Sequence, residues 1–279
     1  AVHAGFRPAK RHKGRYKSNK IELPSTYDQT KTGAYKDLKW PQWVADQRTS
    51  WHGVDYMYHE NRDLHEMVVD YCETLLGVDE SVGAIMEYLK KEGLDESTLV
   101  IYMGDNGFSW GEHGLIDKRH FYEESVKVPL LVRCPELFEG GKTPEQMVQN
   151  IDIAPTILAE PAIEQPMNMP GVSFIPILTE KPTSSSRNEV FYEYYWEYDF
   201  PMTPTVFGMR TDRYKYIKYQ GIWDRNELYD LKNDPNELNN LYDNPDYADI
   251  VKDLKAQLKK LKVEYDDTDE QYPEMKGLL

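Results

Sequence analysis

Asp105 and Asn106 follow a compact apolar run ending at Tyr102 and Met103, and Lys118 comes thirteen residues after Asp105. A carboxylate beside an amide carbonyl offers two oxygen donors of the kind a hard cation such as Ca²⁺ or Mg²⁺ takes. A nearby ammonium group adds a second positive charge for an anion held against that cation. Between them stands Gly111-Glu-His-Gly114, whose His113 could touch a substrate, support Lys118 or simply cap backbone carbonyls. Asp-Asn-Gly is also an ordinary turn signal, and the alternating acidic positions and closing Glu of an EF-hand are missing. The company these residues keep favours ligand holding, because α/β sheets place their ligands in loops beyond the carboxyl ends of strands.

The elements that must position this loop are legible in part. Apolar residues recur at Leu64, Met67, Val68, Tyr71, Leu75, Val78, Val82, Ile85, Met86 and Leu89, the spacing of one helical face, and Gly93 is placed to end that helix. Residues 97–103 and 128–133 are short, nearly all-apolar runs, which suit strands covered on both faces. Helix followed by buried strand predicts an α/β core with a mostly parallel sheet flanked by helices. Residues up to about 60 lack periodicity and read as a long loop over a surface. Asp152 reads as the N-cap of a short helix in which Pro155 is tolerable, and residues 160–188 are Pro-rich and irregular. Beyond a boundary near 187, runs at 190–195, 205–210 and 214–219 predict a small antiparallel sheet. A turn over 230–237 and a helix over 247–263 complete a C-terminal subdomain, so the division expected is 1–187 and 188–279.

Composition sets wider bounds. With 279 residues, 40% of them hydrophobic and 13% aromatic, the chain can bury a core. A net charge of −15 argues against nucleic acid as a partner. The first twenty residues depart from that balance with Lys10, Arg11, His12, Lys13, Arg15, Lys17 and Lys20, either a solvated basic segment, as charge runs usually are, or one that guides an anionic substrate. Cys72 and Cys134 are the only cysteines, which excludes a disulfide-stapled scaffold. No apolar run approaches the length of a membrane span. The opening Ala-Val-His-Ala-Gly-Phe-Arg-Pro reads as the middle of a folded unit, so further residues, with any targeting signal, are expected before Ala1.

Several segments resemble the formylglycine-dependent sulfatases of the alkaline phosphatase superfamily. They are Gly-Asp105-Asn106-Gly, Gly-Glu-His-Gly, Lys118 ahead of Tyr122-Glu-Glu-Ser, Val128-Pro-Leu-Leu, Ile151-Asp-Ile-Ala-Pro-Thr-Ile-Leu, Arg210-Thr-Asp-Arg-Tyr-Lys-Tyr-Ile and Glu227-Leu-Tyr-Asp-Leu-Lys-Asn-Asp-Pro-Asn-Glu. His3-Ala-Gly-Phe-Arg-Pro is similar to the family's His-x-x-Phe-x-Pro segment. The resemblance implies an alkaline phosphatase-like fold in which Asp105 and Asn106 bind Ca²⁺ (Mg²⁺ being the alternative). It further implies that Lys118 contacts the sulfate, His3 faces the leaving-group oxygen and the substrate is a sulfate ester, with a sulfated carbohydrate favoured. Members of the family are mostly exported.

The departures count as much. The family's nucleophile comes from Cys or Ser in a Cys/Ser-x-Pro/Ala-x-Arg segment, and neither Cys72-Glu-Thr-Leu-Leu nor Cys134-Pro-Glu-Leu-Phe fits. The early paired Asp ligands and the Lys and His flanking the nucleophile are absent too. The chain therefore resembles the C-terminal part of a sulfatase, with formylglycine and the first strands expected on a missing N-terminal part of the same protein, and is expected to be inactive alone. A phosphodiesterase or phosphonate hydrolase of the superfamily, and a non-catalytic metal-stabilised module that binds sulfated glycans, remain open beside that reading.

Overall fold

The computed structural model describes residues 2–265 except 4, 60–61, 160–162, 164–165, 167–168, 182–186 and 221–224. Part of the Pro-rich stretch over 160–188 thus lies outside the described residues. In chain order the helices are α1 (Gln29–Thr32), α2 (Gln42–Gln47), α3 (Leu64–Lys91), α4 (Glu123–Val126), α5 (Ile153–Ala159), α6 (Ile175–Leu178) and α7 (Ala248–Glu264). The strands are β1 (Val100–Met103), β2 (Leu130–Arg133), β3 (Glu189–Tyr194), β4 (Val206–Thr211), β5 (Tyr214–Tyr219) and β6 (Glu227–Asp230). The chain folds as two compact units, one of residues 1–32, 46–118 and 123–141, the other of residues 33–45, 119–122 and 142–279.

The first unit is organised by α3. Asp63 caps it, its carboxylate accepting the Glu66 N–H at 2.7 Å, and Lys90 and Lys91 sit in the last turn where cations complement the helix dipole. Leu64 and Met67 on its first turns pack with Phe6, Val54, Met57 and Ile116. Towards its C-terminus the apolar stripe comes into solvent, with Ile85 57% and Tyr88 60% exposed. β1 and β2 pair antiparallel, Val100 opposite Arg133 and Met103 opposite Leu130, where helix–strand alternation suggested parallel neighbours. A parallel return needs a crossover of a dozen or more residues, usually a helix. The connection here is instead spent on the Asp105 loop, a 3₁₀ turn at Glu112–Gly114 and the four-residue α4.

In the second unit β3, β4, β5 and β6 form one antiparallel sheet in sequence order, and α7 lays Val251, Leu254, Leu258 and Leu261 against Phe207, Met209, Tyr216 and Leu228. β6 is the strand that its sequence hides, because Glu227 and Asp230 are both buried. The aperiodic first sixty residues are not merely a surface loop: Phe6, Tyr35, Trp40, Trp43, Val44 and Val54 are buried. Short helical turns with irregular aromatic spacing bury side chains without leaving a periodic signal. Asp152 also works differently from the helix cap its sequence suggests. It closes a 3₁₀ turn, accepts the Gln149 N–H at 2.8 Å and pairs with Arg187 at 2.7 Å.

Candidate functional site

The site begins where β1 ends. Asp105 and Asn106 are exposed at the start of the loop. The Asn106 N–H donates to Asp105 Oδ1 at 3.0 Å, and Asn106 Nδ2 donates to the Gly107 carbonyl at 2.6 Å. With its NH₂ so committed, the Asn106 amide has its oxygen to offer elsewhere, and the second Asp105 carboxylate oxygen joins it as a donor. Gly107 lets this turn press on α4: a Cβ there would stand 1.9 Å from the Glu124 carbonyl oxygen. The close approach allows Gly107 N–H to donate to the Ser125 carbonyl at 2.8 Å and Phe108 N–H to the Glu124 carbonyl at 2.7 Å.

Lys118 is tied to the same loop twice. Its carbonyl accepts the Ser125 hydroxyl at 2.5 Å, and the carbonyl of its neighbour Asp117 accepts the Ser109 N–H at 2.8 Å. Ser125 therefore joins the two halves of the site, its carbonyl holding Gly107 and its hydroxyl holding Lys118. Lys118 itself is half-buried, and among the described residues no ion pair engages its ammonium. A partly dry, uncompensated cation of this kind is suited to an anionic guest.

His113 lies inside the protein, 0% exposed. Its backbone is left-handed at φ 56°, and its N–H donates to Thr26 Oγ1 at 2.9 Å. Gly111 before it has φ 105°, and a Cβ there would meet the Tyr27 ring at 2.7 Å. The Glu112 carboxylate accepts the Trp110 N–H at 2.5 Å, and burial raises its pKa above the usual carboxylate value. The segment is thus a tightly wound turn whose Glu112 carboxylate is used to hold backbone.

His3 is exposed, its carbonyl accepting the Phe6 N–H at 3.3 Å. Phe6 is buried, with its ring centroid 6.3 Å from Phe108 and 5.2 Å from Trp110. The segment that carries His3 is therefore anchored on the stretch directly following Asn106. In the sequence Ser125 and Gly107 stand out only as members of motifs, Gly107 as the glycine directly after Asn106, and Thr26 does not stand out at all.

Whether a hard cation suits these residues can be judged from the donor set. Asp105 and Asn106 present adjacent, exposed oxygen donors, and the Asn106 amide is turned by its bond to Gly107. Among the described residues no group of three or more His, Cys, Asp or Glu forms a metal centre. The pair fits as part of a Ca²⁺ shell of roughly six to eight oxygens, not as the whole of it. Formylglycine is another matter. Cys72 is held within α3, where burial and Glu73 raise its thiol pKa, and Cys134 is buried beside the Glu96 carbonyl; neither fits that group, and no step is assigned to it.

Comparison with known proteins agrees over residues 1–264. The sulfatase family model matches residues 1–159, and the model for the C-terminal region of N-sulphoglucosamine sulphohydrolase matches residues 111–264. An N-acetylglucosamine-6-O-sulfatase from Bacteroides thetaiotaomicron is 37% identical over 205 residues, 72% of this chain and 36% of that protein. A solved structure described as a complex with its substrate D-glucosamine-2-N,6-O-disulfate superposes with a TM-score of 0.78 at 29% identity, over 96% of this chain and 65% of that one. The phosphonate monoester hydrolase of Agrobacterium radiobacter gives a TM-score of 0.65 at 25% identity, over 73% of this chain and 42% of that one. This chain accordingly spans about a third of the curated relative and about two thirds of the first solved one. With a family match over more than half of its residues, and with the α/β fold of the sulfatases in its alkaline phosphatase-like form, the chain belongs to the sulfatase family.

Proposed function

We propose that this chain carries the cation-holding and sulfate-contacting part of a sulfatase that hydrolyses a sulfate ester on a sulfated glycan. The observation that supports it most is the bonded unit of β1 loop, Ser125 and Lys118, which ties the backbone carrying two oxygen donors to the backbone that carries the Lys118 side chain. In this reading Asp105 and Asn106 hold Ca²⁺, which when bound draws charge from one sulfate oxygen. The Lys118 ammonium contacts another oxygen as negative charge gathers there in the transition state. His3 is the proton donor to the departing alkoxide, a role that imidazole side chains fill in general acid–base catalysis. His113, shut away from solvent, acts as a positioning residue that fixes the turn ahead of Lys118 rather than as a direct sulfate ligand. The formylglycine nucleophile is expected from residues outside this chain, and the relatives' names favour an amino-sugar sulfate as substrate.

The test is sulfate release from N-acetylglucosamine-6-sulfate by the full-length protein, before and after chelation. Release should cease with the chelator and return with Ca²⁺, and Lys118→Ala should lower kcat/KM by roughly 10²-fold or more. Release that ignores chelation would defeat the metal assignment.

A second reading has its own support. The likeness to a phosphonate monoester hydrolase accords with a cation, an ammonium and an imidazole serving a phosphoryl group equally well. A higher kcat/KM on an aryl phosphonate monoester than on any sulfate ester would select it, and tight glycan binding with no turnover of either would indicate a binding module.

A further inference from the structure

Residues 1–20 contain seven arginines and lysines and no carboxylate, on a chain of net charge −15. Such a run is usually a loose, solvated tail, but here the backbone is fixed. A turn closes at its head, with His12 and Lys13 N–H donating to the Ala9 carbonyl at 2.8 and 3.1 Å. His12 is buried, with Nε2 3.1 Å from Glu80 Oε1, and Arg11 pairs with the same carboxylate. The buried Glu73 side chain then accepts the Gly14 N–H at 2.8 Å and the Tyr16 N–H at 2.9 Å. Further along, His65 Nε2 meets the Asn19 carbonyl at 2.8 Å. All three anchors belong to α3, so the segment is strapped along that helix.

The strapping consumes Arg11 and His12 and leaves the rest. Lys10, Lys13, Arg15, Lys17 and Lys20 are all exposed, and among the described residues none of them has a carboxylate partner. A fold that needed these charges only for solubility would gain from pairing them with its excess of acid. Instead Glu73 and Glu80, which meet the segment, are spent on backbone amides, Arg11 and His12. Pre-fixed cations bind a polyanion without the ordering cost that a loose tail would incur. The strap also continues from the His3–Phe6 segment, which is anchored on the stretch after Asn106.

We propose that Lys10, Lys13, Arg15, Lys17 and Lys20 form a docking strip for the anionic groups of a sulfated glycan chain, beyond the one sulfate presented for hydrolysis. This rests on the glycan-sulfatase reading and deepens it, because it makes the substrate an oligomer rather than a single sugar. A nucleic acid is the less favoured polyanion, because the strip offers Tyr16 alone as a stacking platform for bases.

The experiment compares the full-length protein with a variant carrying Lys10→Gln, Lys13→Gln, Arg15→Gln, Lys17→Gln and Lys20→Gln. The probe is a heparin-derived decasaccharide, with affinity measured at low and at raised salt. The expected result is binding weaker by about tenfold or more, with a shallower salt dependence, while kcat/KM on the monosaccharide sulfate is unchanged. A double variant, Lys17→Gln with Lys20→Gln, lies past the Glu73 anchor and decides the matter should the fivefold variant misfold. Undiminished decasaccharide affinity in a folded variant overturns the proposal, as does equal affinity of the native strip for single-stranded DNA. Failure to hydrolyse the monosaccharide would count against the sulfatase reading alone, since the binding measurement stands without it.

Discussion

Ser125 does two jobs with one residue, and its neighbours show why the hydroxyl matters. Its carbonyl takes the Gly107 N–H while its Oγ reaches the Lys118 carbonyl, so Ser125→Ala leaves a half-buried backbone acceptor without its partner. We expect a loss of about 1–2 kcal/mol in thermal or denaturant unfolding. If Ser125 acts on the site through Lys118, the same variant should also raise KM for the sulfate ester, and Ser125→Thr should restore part of it. Asp105 gives the opposite pattern. It is exposed and supports only the neighbouring amide, so Asp105→Ala should alter apo stability by no more than about 0.5 kcal/mol. Terbium luminescence, a binding readout independent of turnover, should nevertheless be lost in that variant; retained luminescence would remove Asp105 from the cation site.

β6 shows how an element can escape sequence reading and still be firmly specified. Its four residues, Glu-Leu-Tyr-Asp, begin and end on carboxylates, which argues for a turn unless each has a partner of its own. Both do. Tyr122 donates to Glu227 Oε2 at 2.9 Å, with the Tyr219 and Tyr229 hydroxyls on the same carboxylate, and Arg213 forks onto Asp230 at 2.7 and 3.1 Å. Burial outweighs the three phenols and raises the Glu227 pKa from 4.5 to about 7. The folded state therefore holds a proton that the unfolded chain has released between those values, and stability falls as pH rises through that window. The full effect is on the order of 3 kcal/mol. Glu227→Gln should lower the melting temperature yet flatten its change between pH 4.5 and about 7; an undiminished pH dependence would place the titrating group elsewhere. The long helix α3, strands β3 to β5 and α7 were readable because periodicity and β-branched or aromatic runs carry them. The antiparallel return of β2 was not, since pairing sense depends on a connection whose folding leaves no periodic trace. In the site, residue types announced Asp105, Asn106 and Lys118, whereas their linkage through Ser125 is a matter of backbone hydrogen bonds that no side-chain pattern encodes.

At the scale of the molecule, apolar surface stands open on the first unit. Leu131 on β2 is 65% exposed, alongside Ile85 and Tyr88 on α3, and among the described residues β1 and β2 pair only with each other. Exposed apolar side chains and a short two-stranded sheet with open edges favour association. The 279-residue chain should therefore bind a hydrophobic dye and sediment above its monomer mass. Leu131→Ser with Ile85→Ser should reduce both readouts while leaving unfolding within about 0.5 kcal/mol per site; unaltered sedimentation would show that these residues take no part. The grip of Glu73 on the Gly14 and Tyr16 amides bears on another property of the molecule, its survival among proteases. Trypsin cleaves after lysine and arginine, but only where the peptide can be drawn out into an extended form. Residues 10–20 are thus rich in scissile bonds that the native state withholds. Glu73→Ala should convert them into an early cutting site, visible as a rapid loss of the N-terminal residues by mass spectrometry.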